Sequence, residues 1–235
     1  MEIKRFDSKT EAAAAAGEAL NQLLLDSKNS PVLLALSAGS SFEILDYISP
    51  SALGDNLTAT MLDERFSPTP DDNNFVQLQK LDFYALALEK EVNFIGTLPR
   101  KGELRADMAA RFQISLETWK KNHPDGKIFA TFGMGADGHT AGIFPYPEDL
   151  QFFSQNFKNS EWVISYSPAG KTPYPNRVTS TFSFFKLVDE AIMFVCGENK
   201  RPAFEKLIKG SEQAHALPSV GIFNTKHFQI FTDIT

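Results

Sequence analysis

A short apolar run, Val32 to Leu36, constrains the possible fold more than any other part of the sequence. It is too short for a typical helix and lies between Pro31 and the polar segment 37–41, which predicts a strand buried on both faces, as in a parallel sheet. Comparable strands are predicted at 58–62, 92–95, 127–132, 162–166, 191–195 and 228–231. Helices are predicted at 103–121, at 200–209 and at 12–25, the last after a capping box at 8–11. Strands that alternate with helices indicate an α/β fold, and we expect one domain over residues 1–235.

Composition excludes several classes of partner. The 235 residues include 23 Lys and Arg against 29 Asp and Glu, with no basic block, so we expect no nucleic-acid partner. The single cysteine, Cys196, cannot form an internal disulfide, and the first twenty residues lack the apolar core of a signal peptide. Apolar stretches of the roughly 18 residues that a membrane span needs are not found. We therefore expect a soluble, cytoplasmic protein with no membrane partner, as a monomer or small homo-oligomer.

Three polar segments follow predicted strands, where ligands bind in open parallel sheets. They are 37–41, 63–65 and 133–140. In the first, Gly39, Ser40 and Ser41 precede a helix expected near Phe42, so backbone N–H groups and hydroxyls could hold a phosphate. A plain helix cap is the alternative, since Ser and Gly are also favoured there. The segment does not match the P-loop pattern.

The third segment contains Gly133, Gly135 and Gly138 in the G-x-G-x-x-G spacing. Two prolines, at 145 and 147, follow too soon for the long helix that a dinucleotide site needs, so we reject that interpretation. The glycines instead predict a tight loop that presents Asp137 and His139. A histidine at the mouth of a sheet can exchange protons near neutral pH, although an ordinary hydrogen-bonded histidine is the alternative. The other histidines have no zinc-like spacing to it, so no metal is predicted.

Three cations, Arg65, Arg177 and Lys200, follow strands or a glycine where they could reach an anionic ligand. Solvated surface charge is the alternative for each one. Two proline-rich segments, 66–75 and 167–176, are either candidate walls of a site or ordinary surface connections.

Taken together and in order, a set of motifs resembles the glucosamine-6-phosphate isomerase/6-phosphogluconolactonase superfamily over nearly the whole chain. The motifs are Leu36-Ser37-Ala38-Gly39-Ser40-Ser41, Leu62-Asp63-Glu64-Arg65, Asp72-Asn73-Asn74, the 133–141 loop, Phe144-Pro145, Arg177-Val178-Thr179 and Gly197-x-x-Lys200. The resemblance implies a Rossmann-like, mostly parallel β-sheet flanked by helices on both faces, and no cofactor. The family usually has Ser-Gly-Gly-Ser-Thr-Pro in the first of these segments. In this chain Ala38 replaces the first glycine, Ser41 replaces the threonine and Phe42 replaces the proline. The methyl group at position 38 would narrow a phosphate cradle if the backbone there required a positive φ.

The resemblance also implies an activity, the hydrolysis of 6-phospho-D-glucono-1,5-lactone to 6-phosphogluconate. His139 would be the general base, and either Asp137 or Asp63 would orient the histidine or the water. The substrate and its phosphate would be held by Gly39, Ser40, Ser41, Arg65, Asn74, Gly135, Arg177 and Lys200. One alternative is glucosamine-6-phosphate deamination, but that branch tends to carry a glutamate where this chain has Phe144. Another is a non-catalytic sugar-phosphate binding protein.

Overall fold

The computed structural model describes residues 2–168 and 170–235. Its strands are β1 (Glu2–Arg5), β2 (Val32–Leu36), β3 (Leu57–Met61), β4 (Asp63–Arg65), β5 (Asn93–Phe94), β6 (Lys127–Gly133), β7 (Val163–Tyr166), β8 (Arg177–Ser180), β9 (Glu190–Val195) and β10 (His227–Thr232). Its α-helices are α1 (Lys9–Asp26), α2 (Asn74–Gln79), α3 (Asp82–Glu89), α4 (Arg105–Asn122), α5 (Leu150–Phe157), α6 (Phe182–Phe185) and α7 (Arg201–Lys209). In this part of the chain the strands form two sheets.

The larger sheet has seven strands in the order β1-β10-β9-β6-β2-β3-β5, and every neighbouring pair is parallel. β2 lies near its centre, where Leu34 is in register with Ala59 on β3 and with Phe129 on β6. All five residues of β2 are buried, as its uninterrupted apolar sequence predicts. The parallel α/β prediction is confirmed.

Helices cover both faces of this sheet, and side chains of β2 point alternately to the two faces. Val32, Leu34 and Leu36 belong to an apolar cluster that also contains buried residues of α1 and α3. Leu33 and Ala35 belong to a second cluster, which contains buried residues of α4 and α7. The period of two along a strand therefore divides the core between two layers of helices.

The smaller sheet is antiparallel, with the order β4-β8-β7. The predicted strand at 162–166 belongs to this sheet, so its assignment to the parallel series is wrong. The polar segment 63–65, which we expected to follow a strand, is itself a strand because β8 pairs with it. The chain leaves the parallel sheet at Leu62, whose N–H donates to Leu36 and whose carbonyl accepts from Ser180. This exit places Asp63 and Arg65 at the carboxyl end of the parallel sheet.

Local signals predicted the first helix well. The hydroxyl of Ser8 caps α1 by accepting a hydrogen bond from the N–H of Glu11, at 3.2 Å.

The helix expected near Phe42 is present, but it is a 3₁₀ helix, Gly39–Tyr47. No helix in the described ranges is both long enough and apolar enough to cross a bilayer.

Candidate active site

A cleft of about 250 Å³ lies at the carboxyl ends of the parallel strands. Nine predicted site residues line it: Gly39, Ser40, Asp63, Arg65, Asn74, Gly135, His139, Arg177 and Lys200. They come from segments that follow β2, β3, β6 and β9, and from β4, β8 and the start of α2. Residues separated by up to 161 positions in the sequence thus share one cavity, because parallel strands end at the same edge.

His139 and Asp137 form the pair with the clearest chemical function. Nδ1 of the imidazole lies 2.6 Å from Oδ1 of Asp137, and the same oxygen accepts the backbone N–H of His139 at 3.1 Å. Burial raises the pKa of Asp137, but hydrogen bonds from His139 and its charge outweigh burial and leave that pKa below its ordinary value. An ionised Asp137 favours the tautomer that carries its proton on Nδ1, which leaves Nε2 as a proton acceptor. The imidazole side chain is 38% exposed, so it lies on the cleft surface and not in the core.

Gly135 makes this pair possible. A Cβ atom at position 135 would lie 2.2 Å from both Cε1 and Nδ1 of His139, and 2.7 Å from Oδ1 of Asp137. The N–H of Gly135 also donates to the carbonyl of His139, which closes the loop. Gly135 therefore contributes to the site by leaving room for the side chains of His139 and Asp137, in the tight loop that the glycines predicted.

Phe144 packs against the imidazole of His139. The two rings are stacked, with centroids 4.7 Å apart and planes inclined by 30°. The same phenylalanine lies 5.8 Å from the guanidinium carbon of Arg177. Phe144 cannot exchange a proton, so in this chain the position next to the histidine supports the ring by contact alone.

Asp63 is paired with a different residue. Its Oδ2 atom accepts a hydrogen bond from Nη1 of Arg177 at 3.0 Å, and both side chains are buried. Asn74 donates to the carbonyl of Asp63 at 2.9 Å and to its carboxylate at 3.3 Å. Gly142 packs directly on this carboxylate, because a Cβ atom there would lie 2.7 Å from Oδ2. The geometry therefore places Asp137, and not Asp63, against His139.

Arg65 and Arg177 are direct partners across the antiparallel strands β4 and β8. The ring of Tyr174 lies 4.1 Å from the guanidinium carbon of Arg65 and 5.9 Å from that of Arg177. Burial and the nearby charge of Arg177 lower the pKa of Arg65. The sequence indicated the two cations but not Tyr174, because a contact between distant side chains leaves no local spacing.

Glu64 lies between Asp63 and Arg65 on β4, and its side chain is fully buried. Its carboxylate accepts hydrogen bonds from the backbone N–H groups of Arg65, Asn74 and Phe75 and from the hydroxyl of Thr97. Burial raises its pKa from 4.5 to about 7, against the opposing effect of these hydrogen bonds. The carboxylate thus joins β4 to the start of α2. Only its position between two candidate residues could have signalled this role.

The turn after β2 tolerates the alanine at position 38. Ala38 is extended, with φ −82° and ψ −175°, and Gly39 takes the positive φ of 71°. The residue that requires conformational freedom is therefore still a glycine. Ser40 faces the cleft, whereas Ser41 is buried against Gly133 and does not line it. The 3₁₀ turn separates the two hydroxyls.

Lys200 also lines the cleft. It lies in a 3₁₀ turn between Gly197 and α7. Burial lowers its pKa. Cys196 directly follows β9; it is buried and does not line the cleft. Among the residues described, no three His, Cys, Asp or Glu side chains are grouped so that they could hold a metal ion.

Known proteins share both the sequence pattern and the architecture. Residues 7–232 match the family model of the glucosamine-6-phosphate isomerases/6-phosphogluconolactonase. The 6-phosphogluconolactonase of a Nostoc species is 30% identical over 193 residues, which are 79% of this chain and 75% of the relative. Two solved structures, the 6-phosphogluconolactonases of Thermotoga maritima and Shewanella baltica, superpose with TM-scores of 0.75 and 0.74, each at 16% identity. The first alignment covers 98% of both chains, and the second covers 99% of this chain and 97% of the other. Since the matched region includes every segment that lines the cleft, this chain belongs to the glucosamine-6-phosphate isomerase/6-phosphogluconolactonase family.

Proposed function

We propose that this protein hydrolyses 6-phospho-D-glucono-1,5-lactone to 6-phosphogluconate in the oxidative pentose phosphate pathway. The observation that carries the proposal is the shared cleft of His139 and three cations, Arg65, Arg177 and Lys200. Lactone hydrolysis needs a base that activates water, donors for a tetrahedral oxyanion and a site for the substrate's phosphate. In this proposal His139 is the base, and the three cations with the Gly39-Ser40 turn provide the oxyanion donors and the phosphate site.

In the proposed mechanism, Nε2 of His139 takes a proton from a water molecule as its oxygen attacks C1 of the lactone. The carbonyl oxygen becomes an oxyanion. When the intermediate collapses, the bond from C1 to the ring oxygen breaks, and the imidazolium returns its proton to that oxygen. Asp137 holds Nδ1 throughout and stabilises the positive charge on the ring.

The cations and the Gly39-Ser40 turn surround the anionic groups in this proposal. Arg177 is fixed by Asp63, which in turn is held by Asn74. A guanidinium group can bind phosphate oxygens through two N–H groups, whereas Lys200 acts as a point charge. We do not include Ser41, since its buried hydroxyl does not line the cleft.

The whole chain acts as one domain in this proposal, working in the cytoplasm on a phosphorylated sugar lactone as a monomer or small homo-oligomer. The location is supported by the single cysteine. No nucleic acid or membrane takes part.

A pH-stat assay with freshly generated lactone tests the proposal, because hydrolysis releases acid. We expect the wild-type protein to accelerate acid release, and we expect His139→Asn to lower kcat by at least about 100-fold. His227→Asn is the matched control, since His227 is exposed at the opposite end of the sheet, at the start of β10. Ammonia release from glucosamine 6-phosphate would instead support deamination. Tight binding of 6-phosphogluconate without faster hydrolysis would support a binding protein.

A further inference from the structure

Tyr174 lies where the two arginines of the cleft meet. It belongs to the proline-rich segment 167–176, which connects β7 to β8. Its ring is half-buried and contacts both guanidinium groups, at 4.1 Å and 5.9 Å, but it does not line the cleft itself. Tyr174 is connected to the cleft through Arg65 and Arg177, which line the cleft and lie against its ring.

The two arginines need something to hold them together. Their backbones are direct partners across antiparallel strands, an arrangement in which like charges repel. Asp63 pairs with Arg177, whereas the guanidinium group of Arg65 has one hydrogen-bond acceptor among the described residues, the carbonyl of Asp72 at 3.3 Å. The buried Nε atoms of both arginines have no hydrogen-bond partner within 2–168 and 170–235. The negative face of an aromatic ring attracts both cations without using their N–H donors.

We propose that Tyr174 is a positioning residue that holds Arg65 and Arg177 side by side for the phosphate group of the substrate. This inference rests on the proposed function, because that function supplies the phosphate. The ring face does the positioning, so the hydroxyl group is dispensable. Contact with the ring uses none of the guanidinium N–H groups, so those that do not already donate to Asp63 and Asp72 stay free for phosphate oxygens.

The experiment compares Tyr174→Leu with Tyr174→Phe on two substrates, the phosphorylated lactone and glucono-1,5-lactone, which has no phosphate. For Tyr174→Leu we expect KM for the phosphorylated lactone to rise between about 3-fold and 30-fold, the range of one cation–aromatic contact. We expect its kcat to change less than about 2-fold, since the contact is made equally in the ground and transition states. Its kcat/KM for glucono-1,5-lactone should match that of the wild type. Tyr174→Phe should match the wild type on both substrates.

Lys171→Met is the matched control. Lys171 lies in the same segment and contacts the ring of Tyr146 at 4.6 Å, outside the cleft. This variant should leave both substrates unaffected. The proposal is overturned if Tyr174→Leu impairs both substrates equally, if it impairs neither, or if Tyr174→Phe is as defective as Tyr174→Leu.

Calorimetric titration with inorganic phosphate and with 6-phosphogluconate separates this inference from the proposed function. If the wild type does not hydrolyse the lactone but binds these anions, and Tyr174→Leu binds them at least about 3-fold more weakly, the proposed function fails and the positioning role stands. Equal binding by wild type and Tyr174→Leu overturns the positioning role alone. If the wild type binds neither anion and hydrolyses nothing, both are overturned.

Discussion

Nδ1 of His139 lies 2.6 Å from Oδ1 of Asp137, two residues earlier in the same loop. The pairing is local in sequence, but it depends on Gly135, whose missing side chain leaves room for both partners. The carboxylate therefore fixes the ring tautomer, and the loop backbone fixes the carboxylate.

We expect Asp137→Asn to reduce kcat for lactone hydrolysis while leaving KM nearly unchanged. An amide can still hydrogen-bond to Nδ1, but it does not stabilise the positive imidazolium. The loss should be at least about 10-fold, and smaller than the roughly 10²–10⁴-fold expected when the base itself is removed. Steady-state kinetics by pH-stat measures both constants. Asp125→Asn, in the exposed turn before β6, is the control. Unchanged turnover in Asp137→Asn would contradict this role.

We expect Gly135→Ala to abolish most of the activity without unfolding the protein. Gly135 has no positive φ, so an alanine fits the backbone, but its methyl group would overlap the imidazole and the carboxylate. Gly96→Ala is the control, because there the nearest atoms to a new Cβ are 3.9 Å away or more. Thermal unfolding checks the fold and the lactone assay checks the activity. Wild-type activity in Gly135→Ala would show that the loop adapts and that the observed pairing is not required.

Much of the fold could be predicted because its signals are local. β2 was predicted with its observed bounds, since five consecutive apolar residues leave few other structures. β4 was missed because Asp-Glu-Arg has no strand signal, and the segment is extended only through its pairing with β8. At the site, His139 was predicted because it lies in a polar segment that follows a strand. The contacts that support it, such as stacking on Phe144, form between side chains whose approach no spacing encodes.

We expect the buried pair of Arg177 and Asp63 to couple strongly in a double-mutant cycle. Arg177→Met leaves an unpaired buried carboxylate and should lower the free energy of unfolding by about 3–5 kcal/mol. Adding Asp63→Asn should recover part of that loss, with a coupling free energy of about 1–3 kcal/mol. Urea unfolding of the two single variants and the double variant measures it. The double variant should fold and still show a raised KM for the phosphorylated lactone, since the site has lost a guanidinium group that binds the substrate's phosphate. Additive effects on stability would mean that the two side chains do not depend on each other.

The raised pKa of Glu64 predicts how the free energy of unfolding changes with pH. Burial raises its pKa from 4.5 to about 7, so between these values the folded protein holds a proton that the unfolded chain has released. The stabilisation is fully present below about pH 4.5 and is lost as the pH rises through about 7. The shift corresponds to a loss on the order of 3 kcal/mol between these limits.

The measurement is the free energy of urea unfolding at pH 5 and pH 8 for the wild type and for Glu64→Gln. Glutamine does not titrate, so the wild type should lose more stability than the variant over this interval, while groups common to both cancel in the comparison. Absolute stabilities will differ, because glutamine has one acceptor oxygen for the four donors that now converge on the carboxylate. Only the difference in slope tests the pKa of Glu64. Equal losses in the two proteins would place that pKa near its ordinary value. The four hydrogen bonds would then outweigh burial, and the link between β4 and α2 would be ionised throughout the neutral range.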